Sequence, residues 1–368
     1  MPVSVRHRHV VGPKGWGSQC SAVAATCLIF LTIGVAADGA SRPSLYEGVR
    51  TATVFGNSQA IAVSASGSLA YVGSGTDVAV VDLNTGQTVK RIPLYQSPQG
   101  FALSRNGTQL YVVADLEQDE SGGATSSDGG SVVRVDLATS SVVSRVNLPF
   151  VLTTAIAASA KRVYVASYGS IIGINTSTFK VAEKIPVPEG PNYLAVSVKG
   201  STLYGETGFG SGAGIQNGSY FYAVNTVSRR VTTTVQGHFA PTGLAVVSAN
   251  RLAVSYDGGG AAADSPSLQL LNSGGKVTAT FQGAGGAGGA AIPASGNVAY
   301  VDITTSEIAV VDLRSLKEIA AIQLGSGELI GPGPIAISEN GQKICLIDDS
   351  LGSQATIQIV SVNPAGIP

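Results

Sequence analysis

A four-strand unit recurs seven times along this chain, and that repeat constrains the fold more than any other feature. Residues 101–148 show it whole. FALSRNG is a strand running into a tight turn, QLYVVAD a second strand, SVVRVDLATS a third and SVVSRVNLP a fourth. Each is rich in β-branched residues and bounded by Gly, Asn, Asp or Ser, the pattern of strands joined by hairpin turns. An alanine marks the first strand of every unit: Ala62, Ala102, Ala157, Ala195, Ala245, Ala291 and Ala336. The second strand carries Tyr71, Tyr111, Tyr164, Tyr204 and Tyr300, with Ala253 and Cys345 at that position in units five and seven. The third closes on Asp82, Asp136, Asn175, Asn225, Asn272 and Asp312, and on Ser361 in the last unit. Ten positions further on, five units have a β-branched residue (Ile92, Val146, Ile185, Val235, Ile322), whereas the fifth has Gln282, one residue after Phe281.

Seven units of about 46 residues and four strands each predict an all-β chain folded as a seven-bladed β-propeller. The alanines then belong where seven first strands converge on a narrow central channel and large side chains would collide. The Asp and Asn residues have side chains short enough to bond the backbone two residues on and close a turn. The last unit supplies only three strands, 334–339, 343–348 and 356–362, while GVRTATVF (48–55) precedes the first unit unassigned. Open sheet edges invite aggregation, so residues 48–55 are expected to close blade seven as its fourth strand.

The segments AYVGSGTDVAVVDLNTGQTVKRIPL (70–94), LYVVAD (110–115) and AYVDITTSEIAVVDLRSLKEIAAIQL (299–324) resemble the YVTN-type β-propeller repeat family. The resemblance implies the propeller fold and no particular activity, since such scaffolds serve many roles. Units four and five depart from it, with Gly205 and Ala253 interrupting the second strand.

The first 37 residues stand apart. Arg6, His7, Arg8, His9 and Lys14 precede an uncharged stretch, Gly15 to Ala37, and Val35 and Ala37 suit the small-residue positions of a signal-peptidase cut before Asp38. Residues 1–37 therefore read as a secretory signal peptide or, if uncleaved, as a signal anchor. The expected propeller domain is 38–368, secreted, periplasmic or at the cell surface, and held to a membrane only by an uncleaved leader. Cys345 is the one cysteine after the leader, so no internal disulfide is available there. Its place in a strand predicts a buried, inert thiol.

The net charge of −1 gives no basic face for nucleic acid. Charge is nonetheless divided between the two faces of the expected ring. Turns joining strands one to two and three to four are short and hold Arg105, Lys161, Arg162, Lys199, Arg229, Arg230, Arg251, Lys276, Arg314 and Lys343, with Glu339 an exception to the division. The opposite face receives the long insertions 115–130, 206–218 and 256–266, with Asp115, Glu206, Asp257, Asp302 and Asp348 among its many acids and no Lys or Arg in those loops. Loops on a rigid scaffold are where binding concentrates, and a field of one sign attracts cations or basic partners.

His238 is the one histidine outside the leader, and without a second histidine or a usable thiol a zinc or copper site has no ligand set. Calcium is the cation that loop carboxylates suit, although no D-x-D-x-D-G loop is present. The reading that follows is a monomeric, extracytoplasmic interaction module. It would present Asp115, Glu206, His238, Asp257, Asp302 and Asp348 to a protein, glycan or cation, with calcium as the cofactor to consider. The alternative is a propeller enzyme of lactonase or lyase type, with His238 and Glu206 or Asp257 as acid and base.

Overall fold

Strand two of each repeat is apolar through its middle rather than alternating, which requires cover on both faces. The computed structural model supplies that cover with neighbouring blades. It describes residues 46–56, 58, 60–115, 129–148, 155–167, 169–208, 219–237, 241–257, 266–283, 287–303, 307–324, 334–348 and 354–363. These form seven antiparallel sheets of four strands. In blade two the order is Ser97–Leu103, Gln109–Asp115, Gly130–Asp136 and Ser141–Asn147, each paired with the next. First strands of successive blades touch one another around the ring, and blade seven touches blade one.

The closing strand behaves as the sequence requires. Tyr46–Phe55 pairs antiparallel with Gln354–Val362, from Tyr46 opposite Val362 to Phe55 opposite Gln354. It completes a sheet with Lys343–Asp348 and Ile335–Ile337. Ala52 and Val54 drop into the seam between blades seven and one, against Val72, Val81, Cys345 and Ile357.

Seven apolar clusters of buried residues fill the seven seams between blades. This explains the low charge content, 12%: only the outer strands and the loops are left for solvated side chains. Outer strands such as Gln87–Pro93 are exposed except at one position, Ile92. Ile185 and Ile322 repeat that anchor in blades three and six, and in blade three Glu183 is buried beside it. In blade five the turn from Asn272 to Lys276 is one residue shorter, so Phe281 takes the anchor position opposite Leu268 and Gln282 falls outside.

The marker alanines sit differently from the sequence expectation. Ala62, Ala102, Ala157 and Ala336 pack into the seams, not into an open channel. A strand presents its edge to the axis and its side chains to the two faces of its sheet, so crowding near the axis limits side-chain size through the neighbouring blade.

Turns between strands three and four carry the Asp and Asn markers in their expected role. Asp82 Oδ1 accepts from the backbone N–H of Asn84 and Thr85, each at 2.9 Å, and Asn225 Oδ1 accepts likewise from Val227 and Ser228. The fifth residue of the turn is left-handed: Gly86 in blade one, then Ser140, Phe179, Arg229 and Leu316 at φ near 50–57°. In six blades the outer strand then gains one bulged residue, such as Val89 opposite Val80 and Val81 or Ile319 opposite Val310 and Val311. A bulge sharpens the right-handed twist, and here it recurs at one level of the ring.

Candidate functional site

All seven second strands run the same way, from the short-turn face to the insertion face. Asp115, Glu206 and Asp348 end Gln109–Asp115, Thr202–Glu206 and Lys343–Asp348, Asp302 is the penultimate residue of Val298–Ile303, and Asp257 follows Arg251–Tyr256. These five acids thus sit at one end of the ring, in blades two, four, seven, six and five. His238 and the side chains of Asp115 and Asp348 lie outside the described residues, as do the insertions 116–128, 209–218 and 258–265.

A shared face does not make a shared cluster. Glu206 lies two residues beyond Tyr204 and so points to the seam of blades four and five, where Tyr204 packs. Asp302 follows Tyr300 into the seam of blades six and seven. Among the described residues no three His, Cys, Asp or Glu side chains gather as a metal ion would need. Glu206 is fully buried; its Oε1 accepts from Ser219 Oγ at 3.0 Å, and its Oε2 has no partner. Gly237 packs so closely on this pair that a Cβ there would stand 2.5 Å from Oε1. Asp302 is 4% exposed, with Oδ1 unpartnered. Burial pushes both carboxyls up to about 7. Their perturbation therefore comes from desolvation within two separate seams and not from repulsion across the face.

Cations reach this face from the outer strands, which the loop sequences alone do not reveal. Arg91 Nη1 donates to Ser74 Oγ at 2.9 Å and stands 3.9 Å from Asp77, while its guanidinium carbon Cζ lies 5.9 Å from the ring centroid of Phe55. Arg145 reaches from the outer strand of blade two to the link between blades one and two. It donates through Nη2 to the Leu94 carbonyl at 2.6 Å and through Nη1 to Gln96 Oε1.

Between those two clamped residues stands Tyr95, 81% exposed with φ at 58°. Four other non-glycine residues among those described have positive φ, and all four occupy the turn between strands three and four on the opposite face. Tyr95 has no such architectural duty. A tyrosine in left-handed backbone costs about 1 kcal/mol or more, and here the clamp on either side holds the ring out in solvent. The sequence hint was an aromatic in a blade-to-blade link, LYQSP (94–98), where turn residues are expected.

Cys345 is fully buried in the seam of blades seven and one, and burial pushes its thiol up to about 12.

No family model matches the chain, and no curated protein matches it. Among solved structures it is similar to Kuenenia stuttgartiensis hydrazine synthase, with a TM-score of 0.67 over 84% of this chain and 97% of that one. Sequence identity is 17%, so the likeness is one of fold.

Proposed function

We propose that this chain is an extracytoplasmic binding module that takes a protein or glycan on its insertion face. The observation that carries the reading is Tyr95, an exposed aromatic held in costly backbone geometry by Arg145 on the face that receives every long insertion. Exposed, rigid aromatics supply contact area at little entropic cost, and they dominate binding surfaces for that reason. The YVTN-type character of the repeats is compatible with such a role. Asp115, Asp257 and Asp348 lie at the same end of the ring, and a divalent cation such as calcium belongs to the ligands this face would accept.

The test is capture of partners, or probing of a glycan array, with the chain from residue 38 onward. Tyr95→Ala and a variant with 116–128 shortened should each lose at least tenfold in binding of whatever the parent retains, with unchanged thermal midpoints. Retained binding by both variants would remove the insertion face as the site. Comparing midpoints in millimolar calcium and in chelator, with Asp115, Asp257 and Asp348 replaced by Asn as control, tests the cation arm.

An enzymatic reading draws on Glu206, because a carboxyl near neutrality suits general acid–base work. Its complete burial, with Gly237 packed on it, opposes contact with a substrate. Binding by a Glu206→Gln variant should therefore match the parent.

A further inference from the structure

Seven turns between first and second strands crowd around the axis on the short-turn face, and their lengths differ. Blade three passes from Ile156–Ala158 to Arg162–Ser167 through only Ser159, Ala160 and Lys161. Its neighbours, blades two and four, use the five-residue turns 104–108 and 197–201. The short turn leaves a recess that Arg105 of blade two spans, its Nη1 donating to the Val198 carbonyl of blade four at 2.8 Å. A cavity of about 430 Å³ lies there, and its charged lining is Arg105, Lys161, Arg162, Lys199, Arg229 and Glu183.

Five cations thus face one carboxylate, and that carboxylate is already engaged. Glu183 is buried across Gly173, where a Cβ would come within 2.5 Å of its Cγ. It stands 2.9 Å from Arg229 Nε and 3.5 Å from Arg162 Nε. The ammonium groups of Lys161 and Lys199 and the terminal nitrogens of Arg229 make no hydrogen bond or ion pair among the described residues. Solvating charge alone does not account for this arrangement. A second cavity on the same face is lined by Arg251 and Arg314 together with Asp312 and Glu339, so its charges balance. Among the described residues, the recess of blade three brings a void together with uncompensated cations whose guanidinium partners are fixed in place.

We propose that this recess binds a compact polyanion, a small ligand carrying two or more phosphate or sulfate groups. Fixed guanidinium forks match tetrahedral oxyanions, and free lysines add point charges around them. The void falls in the range of small-molecule sites, roughly 300–1,000 Å³. Several cations spread around one opening favour a ligand with several anionic groups over a single anion.

Calorimetric titration of the chain from residue 38 onward, at physiological ionic strength, tests the assignment. The probes are inorganic pyrophosphate and a disulfated disaccharide, with the unsulfated disaccharide as blank. Saturable one-to-one binding of either is expected, and the probe that binds more tightly identifies phosphate or sulfate as the source. Lys161→Ala with Lys199→Ala should weaken binding about tenfold or more. Lys276→Ala with Lys317→Ala removes equal charge from exposed positions elsewhere on this face and should leave binding within about twofold. Both pairs are exposed, so matched thermal midpoints will verify folding. Saturable binding of neither probe, or a loss shared by the control pair, overturns the proposal.

Discussion

Buried carboxyls hold protons that exposed ones release, and Glu206 and Asp302 give this chain an unusual dependence on pH. Their folded values near 7 exceed the ordinary 4.5 and 3.8. Between about pH 4 and 7 the native state therefore binds more protons than the unfolded state, and stability falls as pH rises through that window. Asp82, Asp136 and Asp312 act in the opposite sense: backbone N–H groups of their turns hold these carboxylates below the usual value, so their contribution is lost below about pH 4. The thermal midpoint should accordingly peak near pH 5 and decline toward pH 8. Glu206→Gln and Asp302→Asn should each flatten the decline, with a gain at pH 8 on the order of 1–3 kcal/mol. A midpoint that rises steadily from pH 5 to 8 in the parent would refute this account. Cys345 offers a second residue-scale check. A thiol buried in the seam and raised to about 12 should resist a maleimide for hours in the native state and react within minutes in denaturant.

Within a single blade, the departures from the repeat have local compensation. Gly205 interrupts the second strand of blade four because its cross-strand partner Tyr222 lies over it, and a Cβ would meet the ring at 2.5 Å. Tyr222 is fully buried and its hydroxyl donates to the Glu189 carbonyl at 3.4 Å, so the ring has no room to retreat. Gly205→Ala should cost about 1–3 kcal/mol by overpacking. Pairing it with Tyr222→Leu should recover part of that loss, and a double-mutant cycle from chemical denaturation will measure the coupling. Additive losses would mean that the ring is not what excludes the side chain. The same logic explains Gly173 under Glu183. A repeat can thus exchange a large residue for glycine wherever the facing strand supplies the missing volume.

Across the whole molecule, stability resides in seven similar seams, and closure of the ring decides whether the seventh exists. Tyr46–Phe55 covers one edge of blade seven and contributes Ala52 and Val54 to the seam with blade one. A chain beginning at Gly56 should expose the edge of Gln354–Val362, lose several degrees of thermal midpoint and associate through that edge. Light scattering will detect the association, and a peptide of residues 46–55 added in trans should reverse it. A monomeric truncated chain with the parent's midpoint would show that closure is dispensable.

Much of this architecture was legible in the residues. Alanine, tyrosine and Asp or Asn recurred at fixed spacing because seven blades meet the same steric demands, and a three-stranded last unit with a spare strand at the start implied its own closure. Periodicity encodes such features because each strand sees an identical neighbour. Other features arose only when blades were placed side by side. The marker alanines proved to pack in seams because a strand turns its edge, not its side chains, toward the axis. The acids near the second-strand ends shared a face, yet Glu206 and Asp302 entered different seams, since the alternation of a strand sends each to its own neighbouring blade. Tyr95 and the cation-lined recess had no repeating signal. One depends on an arginine reaching across from another strand, the other on a turn two residues shorter than those beside it. Sequence alone determined the repeat, the number of blades and the strand that closes them, because these follow from local spacing. Tertiary structure decided which charges are buried, paired or left free, because that depends on which blades come to lie next to each other.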